Sequence, residues 1–353
     1  MAVSSAGRPD RAAVLCGLGG WLPRHRVDND ELAARLDTDD AWIRTRTGIR
    51  SRHVAAPHEA TSDLAVAAGR RALANSGTHS TDAVVVATTT PDRTCPATAP
   101  LVAARLGLAG VAAFDVGAVC TGFIYALAAG AGLITSGVAD RVLVIGADVY
   151  SRIVDADDRQ NAVVFGDGAG ALVLRTGHAG EPGALGSFDL GSDGTHEDMI
   201  TVAAGGSRLP AEASRTSRAE RHFAMRGKEV FRHASSRMTQ SARTVLDCSG
   251  LTADDVDRFV PHQANLRILR TVATDLGLPA DRCATHVERA GNTCAASIPL
   301  ALTDDHANQA LRPGDRVLLT AFGGGLTWGS CLLTWPELPP AAEPARHEEE
   351  SAP

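Results

Sequence analysis

Three residues far apart in the chain, Cys120, His262 and Asn292, carry side chains that together could run acyl chemistry. Cys120 follows Phe114-Asp-Val-Gly-Ala-Val and precedes TGFIYALAAGAGLI at 121–134, which reads as a helix. A sulfur at a helix N-terminus lies among unpaired N–H groups and the positive end of the macrodipole, and both favour the thiolate. The small neighbours Gly117, Ala118 and Gly122 permit a tight turn and close approach of a substrate. His262 stands directly after a predicted strand, in Val260-Pro-His-Gln-Ala-Asn-Leu-Arg267. Strand-to-helix junctions of this kind present functional side chains in α/β folds. Asn292 lies at another loop-to-helix junction, Ala290-Gly-Asn-Thr-Cys-Ala-Ala-Ser297. Each residue alone has a plainer reading: a buried structural thiol, a satisfied histidine, a helix N-cap. Taken together they suggest a reactive thiolate with two polar groups beside it.

The elements that must position them alternate. Short β-branched runs at Asp82–Thr88, Arg141–Gly146, Gly170–Leu174, Asp257–Pro261 and Arg316–Thr320 predict strands. Longer Ala/Leu-rich stretches at Thr61–Ser76, Pro96–Leu106, Thr121–Ser136, Arg232–Ser249 and Ala264–Leu276 predict helices. This alternation implies an α/β fold with buried central strands. The order of elements also repeats weakly. A helix, a strand, a helix ending in Gly107-Leu108, the Cys120 junction and a further helix and strand lead to a glycine cluster at 166–170. The second half runs likewise through Gly277-Leu278 and the Asn292 junction to the cluster at 323–329. Two related halves, 1–178 and 179–336, are expected, with Cys120 and Cys294 at equivalent positions. The Pro/Ala/Glu-rich stretch 337–353 is expected to be a disordered tail, and Gly205–Arg218 a polar loop.

Bulk properties narrow the function class. The 353 residues are 44% hydrophobic, enough for a large core, and the net charge of -7 argues against a nucleic-acid binder. No run approaches the roughly 20 apolar residues of a membrane span, and no signal peptide is evident. Seven cysteines without CxxC pairs give neither a disulfide framework nor a zinc site, so no metal is expected. Free thiols fit a cytoplasmic protein.

The segments DVGAVCTGF, VPHQANLRI, RAGNTCAASIP and AFGGGLTWGS resemble the signatures of β-ketoacyl-acyl carrier protein synthase III, the initiating condensing enzyme of the thiolase superfamily. DDAWIRTRTGIRSRH at 39–53 and FGDGAGALVL at 165–174 match as well, so the resemblance spans Val14 to Trp335. It implies a thiolase fold, with duplicated βα halves in a five-layered αβαβα sandwich, and a homodimer. It also implies Cys120, His262 and Asn292 as catalytic residues, with the backbone N–H groups of Cys120 and Gly324 as an oxyanion hole. The implied reaction is decarboxylative condensation of an acyl-CoA primer, held on Cys120, with malonyl-acyl carrier protein. Coenzyme A thioesters enter as substrates, and no cofactor is bound permanently.

By the same resemblance Trp42 stacks on the adenine of coenzyme A, opposite Arg159, and Arg46 faces the nucleotide's phosphates. Arg232 and Arg267 match basic positions where the acidic carrier protein docks. Cys95, Tyr150 and Phe322 match positions around the acyl pocket. Cys95 stands where a larger residue often reaches into the partner subunit, whereas Tyr150 is bulky, so the two point in opposite directions on primer length. Cys294 replaces a usual serine. A true thiolase needs a second cysteine two residues before the GGG run, and that position is Ala321. Transfer to an alcohol or amine without condensation, and a non-catalytic acyl-binding partner subunit, are the rivals. Retention of Asn292 favours condensation over transfer, and presence of Cys120 speaks against the partner subunit. Fatty-acid and polyketide initiation use the same residues.

Overall fold

The computed structural model describes residues 11–211 and 216–340. A five-stranded sheet has the order Arg11–Trp21, Gly168–His178, Arg141–Asp148, Ala83–Ala87, Ala112–Val116. A four-stranded sheet has the order Leu185–Ser192, Thr327–Thr334, Arg316–Gly323, Arg258–Pro261. In both, the opening strand pairs antiparallel with the closing strand. The closing strand pairs antiparallel with the one before it, which pairs parallel with the second. The first sheet then adds Ala112–Val116 in parallel, and the second has a single parallel bridge from Phe259 to Cys283 at that position. The weak repeat in the sequence is therefore a repeated strand order.

Burial follows the two-residue period of a strand. In Ala83–Ala87 the side chains of Ala83, Val85 and Ala87 join a core with Phe123, Ile124 and Leu127, while Val84 and Val86 join another with Leu64, Ala65 and Ala68. Both faces are covered, which is why this strand is a continuous apolar run. Arg316–Gly323 divides in the same way: Val317, Leu319 and Ala321 face the first of these cores, and Leu318 and Phe322 face a third, with Met238 and Ala242. Each fully buried Val or Leu contributes about 2 kcal/mol of hydrophobic stabilisation.

The helices Gly122–Thr135 and Ser297–Ala307 each pack against strands of both sheets. Thr61–Asn75 lies on the first sheet, and Gly227–Cys248 lies on the second beside Leu266–Leu276. Gly146 allows the close contact that seats the loop at 292–296: a Cβ there would stand 2.3 Å from the Ala295 carbonyl oxygen.

Predicted and observed elements differ in instructive places. Arg11–Trp21 is an eleven-residue strand that the sequence reading passed over. Its three glycines dilute the apolar pattern, and a register shift between Leu15 and Gly17 breaks its alternation. The helix expected from Arg232 begins at Gly227, since an opening glycine hides a start. The tail expected to be disordered from 337 is corrected over its first residues. Leu338 packs on the core, and the Asn75 amide donates to the Pro339 carbonyl at 3.0 Å. Residues 341–353 lie outside the described residues. Within the expected loop, Arg218 opens a one-turn helix, Arg218–Arg221.

Candidate active site

Strand Ala112–Val116 ends just before the short 3-10 turn Val119–Thr121, which runs straight into the helix Gly122–Thr135. Cys120 is thereby placed at a helix start, as expected. Val119 takes a left-handed φ of 48° to make this turn. The Thr121 hydroxyl donates to the Thr327 carbonyl at 3.1 Å, and the Thr327 hydroxyl donates to the Ala118 carbonyl at 3.3 Å. These bonds hold the glycine run 323–325 against the cysteine turn. A Cβ at Gly323 would lie 2.9 Å from the Cys120 nitrogen, so only glycine fits this approach.

His262 extends the ladder of strand Arg258–Pro261, its N–H donating to the Thr320 carbonyl at 2.7 Å. Gln263 ties the turn down: its amide donates to the Pro261 carbonyl and accepts from the Val287 N–H. Asn265 caps the next helix by accepting from the Ile268 N–H at 3.0 Å. The His262 Nδ1 lies 2.7 Å from the Ser297 Oγ, which also accepts from the Gln263 N–H at 3.3 Å. In the tautomer in which the Ser297 hydroxyl donates to Nδ1, the ring proton sits on Nε2.

Asn292 pairs its backbone with Val164 and Gly166, through N–H and carbonyl bonds of 2.9 and 3.0 Å. Its Oδ1 accepts from the Cys294 N–H at 2.9 Å. Capping and a catalytic role are compatible here, because the cap uses Oδ1 and leaves the Nδ2 hydrogens as donors.

Cys120, His262 and Asn292 line one cavity of about 870 Å³, together with Trp42, Arg46, Arg159, Arg267 and Phe322. The Cys120 thiol is pulled down to about 5. A hydrogen bond with Cys294 is the largest cause, and the charge and hydrogen bond of His262 add to it against the opposing effect of burial. Toward the surface, the guanidinium groups of Arg46 and Arg159 lie 4.7 and 4.6 Å from the Trp42 ring centre. Arg159 also pairs with Asp37 at 2.8 Å. Arg267 is exposed and stacks over Phe231 at 5.6 Å, while Arg232 is exposed and lies off the cavity lining.

The pocket residues divide. Phe322 lines the cavity. Tyr150 is buried in a cluster with Cys120, stacked on Phe165 at 4.6 Å, and lines a second cavity of about 740 Å³ instead. Phe223 and Ile200 border both cavities. Cys95 is exposed and lines neither. Among the described residues no three His, Cys, Asp or Glu side chains are grouped to hold a metal, and no helix is long and apolar enough to cross a membrane.

Sequence reading missed Ser297 as the partner of His262, and Cys294 as a neighbour of Cys120 at 3.5 Å between sulfurs. Ser297 stands five positions after Asn292, at a helix start where serine is unremarkable. The proposed equivalence of Cys120 with Cys294 is off by one. The left-handed residue opening each turn is Val119 in one half and Cys294 in the other, so Cys120 corresponds to Ala295.

Two family models match the chain. The model described as 3-Oxoacyl-[acyl-carrier-protein (ACP)] synthase III matches residues 114–194, and its C-terminal counterpart matches 246–335. A Streptomyces coelicolor relative, beta-ketoacyl-[acyl-carrier-protein] synthase III 3, is 58% identical over 94% of this chain and 99% of its own. The crystal structure of 3-oxoacyl-(acyl carrier protein) synthase III from Pseudomonas aeruginosa PAO1 is 51% identical. It superposes with a TM-score of 0.87 over 93% of this chain and 100% of its own. The priming β-ketosynthase of the R1128 polyketide pathway is 35% identical, with a TM-score of 0.87 over 94% of this chain and 98% of its own.

Proposed function

This chain belongs to the 3-oxoacyl-[acyl-carrier-protein] synthase III family, and we propose that its Cys120, His262 and Asn292 carry that family's condensation. The enzyme is an acyltransferase that joins an acyl-CoA primer to malonyl-acyl carrier protein and so initiates fatty-acid or polyketide chains. The observation that carries the assignment of residues is that these three side chains line one cavity.

The steps follow from the groups. The Cys120 thiolate attacks the primer's thioester carbon, and the carbon–sulfur bond to coenzyme A breaks. The CoA thiolate leaves and takes a proton from solvent. Malonyl-acyl carrier protein then loses carbon dioxide, and the electron pair of that bond becomes an enolate. Its oxygen is stabilised by the His262 Nε2–H and the Asn292 amide, each contributing on the order of 3 kcal/mol. The enolate carbon attacks the acyl carbon, and the Cys120 thiolate is expelled as the β-ketoacyl product forms. The N–H groups of Cys120 and Gly324 are proposed to hold both tetrahedral oxyanions. The tight seating of Gly323 against Cys120 supports this.

Trp42, Arg46 and Arg159 are proposed to hold coenzyme A at the cavity's outer end. One guanidinium must yield the indole face for adenine to stack there. Exposed Arg267 and Arg232 are proposed to meet the acidic carrier protein. Cys95, exposed in this chain, is proposed to border the acyl pocket of a second subunit in a homodimer, with Tyr150 and Phe322 bordering its own. The αβαβα layering and the halves 1–178 and 179–336 are supported by the repeated strand order and by the two helices in contact with both sheets. Cytoplasmic carrier protein is the proposed partner.

The test is direct. Incubation with a panel of acyl-CoAs, followed by intact mass, is expected to show one acyl group on the wild type and none on Cys120→Ala. Addition of malonyl-carrier protein should then release carbon dioxide. A mass gain that survives Cys120→Ala, or transfer without carbon dioxide, would overturn the assignment.

A further inference from the structure

We propose that Cys294 is a positioning residue for the nucleophile, its thiol donating a hydrogen bond that holds the Cys120 sulfur as a thiolate. The proposal rests on Cys120 being the acyl carrier. The two sulfurs lie 3.5 Å apart, and both are buried, Cys294 completely. This juxtaposition is built rather than incidental. Cys294 adopts a left-handed φ of 49°, a conformation that side-chain-bearing residues rarely take. The Asn292 Oδ1, by accepting the Cys294 N–H, holds that conformation in place. The same backbone turn therefore serves a catalytic amide and aims a sulfur at the nucleophile.

Two groups compete for the Cys294 proton, the Cys120 sulfur and the Asp148 carboxyl. Asp148, on the strand Arg141–Asp148, is fully buried and also hydrogen-bonds with Cys294. Its Oδ1 already accepts from the Thr89 and Thr90 N–H groups and from the Thr88 and Thr90 hydroxyls, and its Oδ2 accepts from the Ala295 N–H. Burial pushes the Asp148 carboxyl up to about 7. It is thus mostly neutral through the acid range in which Cys120 ionises, and repels the new thiolate little. The Tyr150 hydroxyl faces the Cys294 sulfur as a donor, and the Thr89 hydroxyl lies 3.8 Å from it. His262 faces Cys120 from the opposite half. Burial, and then the bond to Cys120, raise the Cys294 thiol well above its ordinary range, so it keeps its proton while Cys120 loses its own.

The experiment is the rate of Cys120 alkylation by iodoacetamide from pH 4 to 9, read site by site by peptide mass spectrometry. The full-length wild type, Cys294→Ala, Cys294→Ser and Cys294→Gly are compared. The wild-type rate should rise with a midpoint near 5 and be flat by neutral pH. In Cys294→Ala the midpoint should move up by at least one pH unit, which is about a tenfold lower rate on the acid limb. Cys294→Ser, whose hydroxyl can donate, should return most of that loss. Cys294→Gly suits the left-handed backbone and stands in for the alanine variant should that one fail to fold. Profiles for Ala or Gly that superimpose on the wild type would overturn the proposal, as would a serine variant that matches the alanine one. Acyl loading of the wild type is measured in parallel. Absence of acyl on Cys120 alongside a shifted alkylation profile would overturn the carrier role and leave the hydrogen bond standing.

Discussion

Two turns bring sulfurs within 3.5 Å of each other, one lining the cavity and one buried behind it, and they share one backbone design. In the first half, left-handed Val119 opens a 3-10 turn that leads into Gly122–Thr135. In the second, left-handed Cys294 opens a 3-10 turn that leads into Ser297–Ala307. The difference lies in which position carries chemistry. The first turn offers the sulfur of its second residue to the cavity and to His262. The second offers the sulfur of its first residue to the other sulfur. The second half adds Asn292 before its turn and Ser297 after it, so it supplies polar groups where the first supplies the cavity-lining thiol. Under the proposed roles, a duplicated scaffold holds one acyl-carrying turn and one orienting turn without changing its backbone.

The sharpest way to break this division is to remove the orienting half's donors while leaving the carrier intact. His262→Ala and Asn292→Asp are each expected to lower condensation by about 10²- to 10³-fold, the usual loss for an oxyanion donor. Asn292→Asp is chosen because it keeps an oxygen to cap the Cys294 N–H and so separates donation from capping. Acyl loading on Cys120 should persist in Asn292→Asp, as measured by intact mass. Equal loss of loading and condensation in that variant would mean that the second turn serves the first step as well.

A smaller effect sharpens the comparison at Ser297. Ser297→Ala removes the partner of the His262 Nδ1 and leaves a buried nitrogen unpaired, a change of about 1–2 kcal/mol, or roughly tenfold in rate. The loss should fall on condensation more than on loading, and its pH profile should change because either ring nitrogen can then carry the proton. Ser297→Thr should restore the wild-type profile. A uniform fall in both steps with an unchanged profile would reduce Ser297 to packing.

What the sequence made legible follows from how local each cause is. The strand Ala83–Ala87 and the helices around it were readable because apolar periodicity is written in consecutive residues. Cys120, His262 and Asn292 could be singled out as three junctions and as family segments, and they line one cavity. Arg11–Trp21 and Thr327–Thr334 were not, because glycines needed for close packing erase the pattern that announces a strand. The role of Ser297 was hidden for another reason. A hydrogen bond between positions 35 residues apart depends on the path of the chain through both sheets, and no spacing rule reports it. The one-residue error in matching Cys120 with Cys294 has the same origin: matching cysteines is a sequence criterion, whereas the turns are matched by φ.

The smallest expected effect tests that last correction. If Val119 matches Cys294, glycine should be tolerated at both positions, since both are left-handed. Val119→Gly relieves backbone strain of about 1–2 kcal/mol. It loses partial burial of a valine, about 1 kcal/mol, and gives the unfolded chain added freedom of about 0.5–1 kcal/mol. These terms nearly cancel, so stability should change by no more than about 1 kcal/mol, a few degrees in melting temperature. Cys294→Gly should fall in the same range of stability, yet only there should the pH dependence of Cys120 alkylation move. A loss above about 3 kcal/mol for Val119→Gly would show that the side chain rather than the backbone sets the first turn, and the parallel between the two turns would fail.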